Sequence, residues 1–487
     1  MFSNRKPQSN KISKYEFNKK GLLTACISIF SVSFAQYSSS YPTYETPTTE
    51  KVTLSAKEEL DIAINRLASD PMVKNGQWGF VVYDPKSKQV ISSYNEATPL
   101  VPASTTKLLT TDAAMNIMGP KFKYNTQLEY SGKISDTGVL EGNLYIIGSG
   151  DPTLGTGMAG SSSYSSIASD FISSIKSLGI TKINGGIFVQ TAVFKGNNDN
   201  LPANIVWLER ENYYLPVGKT ANIDPTKERK ITKRKFKADE KRFFYVSPYT
   251  NQMVYTDSFE GNIVAGKIPS APYSLANTLK ASLLKNKISV TGKVEGKTID
   301  ITPEDRTFIT KYQSPSLEEI VYFVNQVSNN RFAEALLRSV GFYKNGDESL
   351  ATGRQTIVEH LNTNGYDFNG LNLMDGSGLS RNNLVTPISQ VKFLAGLMKE
   401  RYYKSYFDSL PIAGQTGTLK KMFLYNEGYG QIFAKTGTLR AVKCLAGYIN
   451  TKSGRTLTFS LLINNYTGSV NQIKAKMEKL LEPTLNL

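Results

Sequence analysis

The stretch Val101-Pro102-Ala103-Ser104-Thr105-Thr106-Lys107-Leu108-Leu109-Thr110-Thr111-Asp112-Ala113-Ala114 is a proline-led turn opening directly into an apolar, alanine-bearing helix. Serine is favoured at a helix N-cap, and the pattern predicts Ser104 there. Helical spacing then puts Lys107 one turn further along the same face. A serine hydroxyl is a weak nucleophile until a neighbouring base takes its proton, and an amine fixed one turn away can do so without a histidine. Ser104 and Lys107 are therefore a candidate nucleophile and base. The spacing alone recurs by chance as a capped helix with a solvated lysine, so other residues must decide.

Two later stretches supply them. Gln326-Val327-Ser328-Asn329-Asn330 gives Ser-x-Asn at a break between two helical patterns, and Phe433-Ala434-Lys435-Thr436-Gly437-Thr438 gives Lys-Thr-Gly in an apolar, strand-like run. With Ser-x-x-Lys, in this order, they form the set shared by serine β-lactamases and penicillin-binding proteins. The sequence resembles the D-alanyl-D-alanine carboxypeptidase/endopeptidase family, the low-molecular-mass class C penicillin-binding proteins. Pro102 to Leu108, Gly148 to Leu154, Asp375 to Arg381, Leu410 to Gly414 and Ala446 to Ile449 all look like that family's landmarks, in its order. The likeness covers roughly residues 55 to 470 and is weakest over about 195 to 265.

The resemblance implies an α/β (α+β) fold of the serine β-lactamase/DD-peptidase kind, an antiparallel sheet with helices on both faces, interrupted by a mainly β inserted region. Spacing is consistent with this: 224 residues separate Ser104 from Ser328, and 107 separate Ser328 from Lys435. Compact β-lactamases place the first two motifs much closer. The composition turns to short β-like runs and Gly, Asn and Ser loops near 120 and becomes helical again near 270. The expected organisation is thus a peptidase domain over 53–118 and 270–487 with an insert over 119–269.

For the site, the resemblance implies that Ser104 attacks a D-alanyl carbonyl, Lys107 accepts its proton, and Ser328 relays a proton to the leaving amine. Asn330 would hydrogen-bond the substrate, Lys435, Thr436, Gly437 and Thr438 would hold its terminal carboxylate and line it as a strand, and the N–H groups of Ser104 and Thr438 would form the oxyanion hole. A base lysine must be largely neutral near pH 7, although a free one titrates near ~10.4. Burial and a nearby cation both depress a lysine, and Lys435 is the expected cation. The implied partners are peptidoglycan stem peptides and β-lactam antibiotics. Gln415-Thr416-Gly417-Thr418-Leu419 nearly duplicates the Lys-Thr-Gly run but lacks its lysine, and is read as a structural loop. Asp375-Gly376-Ser377-Gly378 reads as a tight turn or a loop lining the cleft. Within the insert, Asp224 is a candidate for recognising a stem-peptide amine.

Counting excludes other chemistries. His360 is the sole histidine, near a helix end, and is expected to be solvated or capping. With one histidine and two cysteines, a zinc site of the usual His/Cys kind cannot be built. No cofactor and no metal are implied. A β-lactamase needs a base for its deacylating water, and no acidic motif between Ser328 and Lys435 matches that of class A enzymes. A peptidase is therefore favoured over a β-lactamase, and over a non-enzymatic cell-wall binding protein using the same cleft.

At the N-terminus, Arg5, Lys6, Lys11, Lys14, Lys19 and Lys20 precede an apolar run from Gly21 to Ala35 that is short and serine-interrupted for a membrane span. With its Ser33-Phe34-Ala35 end, this predicts a secretory signal over 1–35, cut before Gln36. A competing reading takes Leu23-Thr24-Ala25-Cys26 as a lipobox with Cys26 lipidated, although only two leucines separate it from the lysines. Cleavage after Ala35 would leave Cys444 as the one cysteine, buried and without a disulfide partner. It would also remove six basic residues and Glu16, taking the net charge from +16 to +11. Such a charge, with the basic run Lys227 to Lys237, would suit nucleic acid, but export to the periplasm or cell envelope makes wall polymers and lipid surfaces the expected neighbours. Residues 36–52 read as a disordered tether.

Overall fold

The computed structural model describes residues 54–191, 271–297, 305–346 and 350–487, with five short strands between 205 and 256. The expected signal, the tether, Asp224 and the basic run lie outside the described residues. Ser55 and Glu58 form a capping box that starts helix α1 (Ala56–Ala68), whose stripe Leu60, Ile64 and Leu67 is buried. Strands β1 (Gln77–Asp84) and β2 (Gln89–Tyr94) form a hairpin. Its turn is fixed by the Asp84 carboxylate, which accepts from Lys86 N at 2.8 Å. A 3₁₀ turn over Ala103–Thr106 then feeds helix α2 (Lys107–Ile117).

The chain next builds a second sheet from β3 (Asn125–Ser131), β4 (Leu144–Gly148) and, after helix α3 (Tyr164–Ser177), β5 (Ile187–Thr191). Helix α4 (Ala271–Lys285) and strands β6 (Val294–Lys297) and β7 (Arg306–Gln313) complete it in the order β6-β5-β4-β3-β7. Ile167, Phe171 and Ile175 of α3 share one core with Leu275, Leu279 and Leu283 of α4. The return expected at residue 270 therefore comes later. The leucine stripe of α4 finds its apolar partner on α3, and β7 pairs with β3, so residues 271–313 belong with the second sheet. Entry and exit adjoin: Ser314 N donates to the Tyr124 carbonyl at 2.9 Å, and Tyr124 N donates to Ser314 Oγ at 2.9 Å.

A second capping box, Ser316 with Glu319, starts α5 (Leu317–Val327). Helices α6 (Asn330–Asn345), α7 (Leu350–Thr363), α8 (Pro387–Leu397) and α9 (Tyr403–Asp408) follow. Strands β8 (Ile432–Leu439), β9 (Val442–Asn450) and β10 (Thr456–Asn464) and helix α10 (Val470–Leu481) end the chain. The first sheet is wholly antiparallel, in the order β8-β9-β10-β1-β2. Because side chains alternate across a strand, Leu445 and Phe459 meet α1 and α10 on one face, while Cys444 and Leu462 meet α2, α5 and α6 on the other. Helices thus cover both faces, as the resemblance implied. Among the described residues no helix is long and apolar enough to cross a membrane.

Candidate active site

Ser104 does not cap a helix. The helical turn already begins at Ala103, and neither flanking residue of that turn makes a side-chain capping bond. Residues three apart eclipse in a 3₁₀ turn, and this sets Lys107 Nζ 3.0 Å from Ser104 Oγ. Ala103 carries φ of 46°, a left-handed conformation that an alanine adopts at a cost of order 1–3 kcal/mol. Two glycines make room for it. A Cβ on Gly437 of β8 would come within 2.5 Å of the Pro102 carbonyl oxygen, and one on Gly378 would overlap that of Ala103.

The Lys107 side chain is completely buried. Burial depresses its amine from 10.5 to about 7, against the pull of Glu334 and then Asp375. The expected Lys435 effect runs the other way: burial, then Lys107 and Lys443, hold Lys435 well below the usual lysine range. Lys107 Nζ also donates to Asn330 Oδ1 at 2.7 Å and to the Ser377 carbonyl at 2.6 Å, with Ser104 Oγ in the third direction.

Ser328 sits between α5 and α6 with φ of 57°, the left-handed conformation common at a helix C-terminus. Asn329 caps α6 by accepting from Phe332 N at 3.0 Å. The sharp break turns Ser328 toward β8, where Lys435 Nζ donates to its hydroxyl at 2.8 Å. Of the other strand residues, Thr436 donates to Thr418 Oγ1 at 2.7 Å and Thr438 accepts from Lys443 Nζ at 2.6 Å. The structure therefore joins Ser104, Lys107 and Asn330 in one hydrogen-bonded group and Ser328 and Lys435 in another, and Gly437 holds β8 against the Ser104 turn.

Several contributors were not foreseen from the sequence. The Glu334 carboxylate, 1% exposed, accepts from Ser377 N at 2.9 Å and Gly376 N at 3.2 Å. Burial, and then Asp375, push its carboxyl up. The Asp375 turn takes part through its backbone, the Ser377 carbonyl accepting from Lys107. Thr418 belongs to the loop read as purely structural, yet its hydroxyl touches β8. Lys443, on the strand beside Thr438, is depressed by burial to about 8. His360 is neither solvated nor capping: it is 5% exposed, with Nε2 2.7 Å from Asp112 Oδ2, because α7 packs that face against α2. Cys444 is buried as expected, and burial pushes its thiol up to about 12.

A hydroxyl, a buried amine and a lysine-bearing edge strand on a helix-covered antiparallel sheet define the class of penicillin-recognising serine enzymes. Within it, the chain belongs to the D-Ala-D-Ala carboxypeptidase 3 (S13) family, which it matches over residues 60–270 and 264–483. It is 28% identical over 441 residues to the D-alanyl-D-alanine carboxypeptidase DacB of Haemophilus influenzae, covering 84% of this chain and 90% of that protein. A D-alanyl-D-alanine carboxypeptidase of Actinomadura is 26% identical over 453 residues, 84% of this chain and 82% of the relative. The crystal structure of penicillin binding protein 4 from Haemophilus influenzae shares the fold, with a TM-score of 0.65 and 24% identity over 87% of this chain and 98% of that one. A second crystal structure of that protein, complexed with a β-lactam, gives a TM-score of 0.63 at 25% identity over 86% and 97% of the chains.

Proposed function

We propose that this protein is an exported serine-type D-Ala-D-Ala carboxypeptidase and endopeptidase that acts on peptidoglycan stem peptides through an acyl-enzyme on Ser104. The observation that carries this is the buried Lys107 amine, brought to about 7 and 3.0 Å from the Ser104 hydroxyl. Such an amine can take a proton at neutral pH, which an exposed lysine cannot.

In this mechanism Lys107 takes the Ser104 proton as Oγ bonds to the penultimate D-alanine carbonyl carbon. The oxyanion is held by the N–H groups of Ser104 and Thr438, which Gly437 lets approach one another. The tetrahedral centre collapses as the C–N bond breaks, and the proton held by Lys107 passes through the Ser328 hydroxyl to the leaving amine, which leaves Lys107 neutral. Water then attacks the ester, Lys107 takes its proton, and it returns that proton to Ser104 Oγ as the acyl–oxygen bond breaks. The terminal carboxylate lies along Lys435, Thr436 and Thr438, with Asn330 on the substrate's amide. Among the described residues the buried Lys435 has no acidic ion-pair partner, so the arrival of a carboxylate favours the charged amine. A β-lactam presents a similar carboxylate beside a reactive acyl group and would be trapped on Ser104, as the complex of the related Haemophilus protein suggests.

Benzylpenicillin should add its mass once per chain, on the peptide containing Ser104, with Ser104→Ala unlabelled. Defined muropeptides should lose one alanine or have their cross-links cut. Folded protein that takes up no penicillin would overturn the reading, and rapid nitrocefin turnover would make it a β-lactamase.

A further inference from the structure

We propose that Glu334 is a positioning residue for the acylation step: by clamping the backbone at Gly376 and Ser377, it aims the Ser377 carbonyl at Lys107 and so points the lysine's lone pair at Ser104. This rests on the reading of Lys107 as base. A neutral amine has two N–H donors and one lone pair. Two partners of Lys107, the Ser377 carbonyl and Asn330 Oδ1, can only accept, at 2.6 and 2.7 Å. They take up both N–H bonds. The remaining direction, toward Ser104 Oγ at 3.0 Å, is left for the lone pair. Without fixed acceptors the amine would rotate among orientations, most of them unproductive, and proton transfer depends on that geometry.

Asn330 is fixed by its place at the start of α6. The Ser377 carbonyl lies in a loop and needs another support. Glu334, one turn further along α6, gives one carboxylate oxygen to Ser377 N and the other to Gly376 N. Thr110 Oγ1 holds the Gly376 carbonyl at 2.8 Å from the α2 side. Asp375 opposes this by accepting from Gly378 N and Ser380 N, both at 2.6 Å. A buried carboxylate in an otherwise apolar stretch, Phe332 to Leu337, is costly unless its bonds do something. Here they connect the Ser-x-Asn helix to the base. Besides each other, the charged groups that bear on Lys107 and Glu334 are Asp375 from the loop, which acts on both, and Lys435 on β8, which couples to Lys107.

The test uses full-length exported protein, benzylpenicillin, and first-order acylation rates for the fraction that labels, measured from pH 5.5 to 9. In the wild type the rate should fall about tenfold per unit below pH 7, because Lys107 then carries a proton. Burial holds the Glu334 carboxyl up at about 8, so across the acidic limb it acts on Lys107 through its bonds to the loop backbone. Glu334→Gln can accept only one of the two backbone bonds and Glu334→Asp loses the reach, so the plateau rate of each should drop ten- to a hundredfold while the acidic limb stays near that of the wild type. A merely structural role would lower the labelled fraction and leave the plateau rate of the labelled fraction unchanged, and that result overturns the proposal. So would Glu334→Gln with the wild-type rate, or the failure of both variants to fold. If wild-type protein takes up no penicillin, the acyl-enzyme reading itself fails.

Discussion

At the residue scale, the base role proposed for Lys107 conflicts with stability. Its amine titrates near 10.5 when unfolded and near 7 when folded. At about 1.36 kcal/mol per unit, burying it costs roughly 5 kcal/mol at pH 7. The sign follows from proton counts. Between pH 7 and 10.5 the unfolded chain holds a proton that the folded one has lost, so stability rises with pH across that window and the cost is full below it. Lys107→Met removes the cost but strands the Ser377 and Asn330 oxygens, at ~1–2 kcal/mol each. The variant should therefore be inactive and about 1–3 kcal/mol more stable at pH 7. That gain should shrink by up to ~1.4 kcal/mol per unit as pH rises toward 10. Thermal melts of both proteins at pH 7, 8 and 9 check this, and a pH-independent difference would contradict the depressed lysine. Ser104, Lys107, Ser328, Asn330 and Lys435 were legible because each sits in a short motif whose spacing is itself chemical. Glu334 and the Ser377 carbonyl were not. One looks like a stray charge in a helix and the other acts through its backbone, which carries no mark in the side-chain alphabet.

At the scale of elements, the decisive contact is between β8 and the 3₁₀ turn of Ser104. The sequence announces both pieces, the proline-led turn and the Lys-Thr-Gly strand, but not that Gly437 is the spacer between them. Gly437→Ala would press a methyl within 2.5 Å of the Pro102 carbonyl and 3.1 Å of the Ala103 Cβ. Neither neighbour can yield easily, since β8 is tied to β9 along its length and Ala103 is already left-handed. The variant should lose about 1–3 kcal/mol of stability, as overpacking does. Its penicillin acylation should fall by tenfold or more at 25 °C, where it stays folded, because the Ser104 and Thr438 amides move apart. Stopped-flow acylation with circular dichroism separates the two effects, and unchanged acylation would show that the strand does not set the oxyanion geometry. Helix α3 shows where local reading failed. Its serines at 165, 166, 169, 173, 174 and 177 look like loop composition. Serine is only mildly unfavourable in a helix, and the apolar spacing of Ile167, Phe171 and Ile175 prevails once α4 supplies a partner. His360 was misjudged for the same reason: its burial depends on α2, which is 248 residues away in sequence.

At the scale of the whole molecule, the first sheet is closed by strands from opposite ends of the described chain: β1 pairs with β10 over seven residues. Such long-range pairing cannot be read locally, and it is why the return point was misplaced. An apolar helix pattern at 271–285 gives no sign of which sheet it covers. The geometry at Tyr124 and Ser314 does give one. Their backbones bond directly, so residues 125–313 leave and re-enter the peptidase domain through one narrow neck. Among the described residues, every group hydrogen-bonded to Ser104, Lys107, Ser328 or Lys435 lies outside that segment. Replacing 125–313 by a short Gly-Ser linker closes a loop whose ends already touch, which adds little entropic cost. The excision uncovers Tyr124 and the core surface under Met158 and Ala159, an apolar loss of a few kcal/mol at ~25 cal/mol per Å². We therefore expect the shortened protein to fold with a lowered melting temperature and to be acylated on Ser104 by penicillin within tenfold of the wild-type rate. Intact mass after benzylpenicillin treatment reads this directly. A folded but unlabelled product would show that the second sheet helps to build the site, and that the neck at Tyr124 and Ser314 is not a functional boundary.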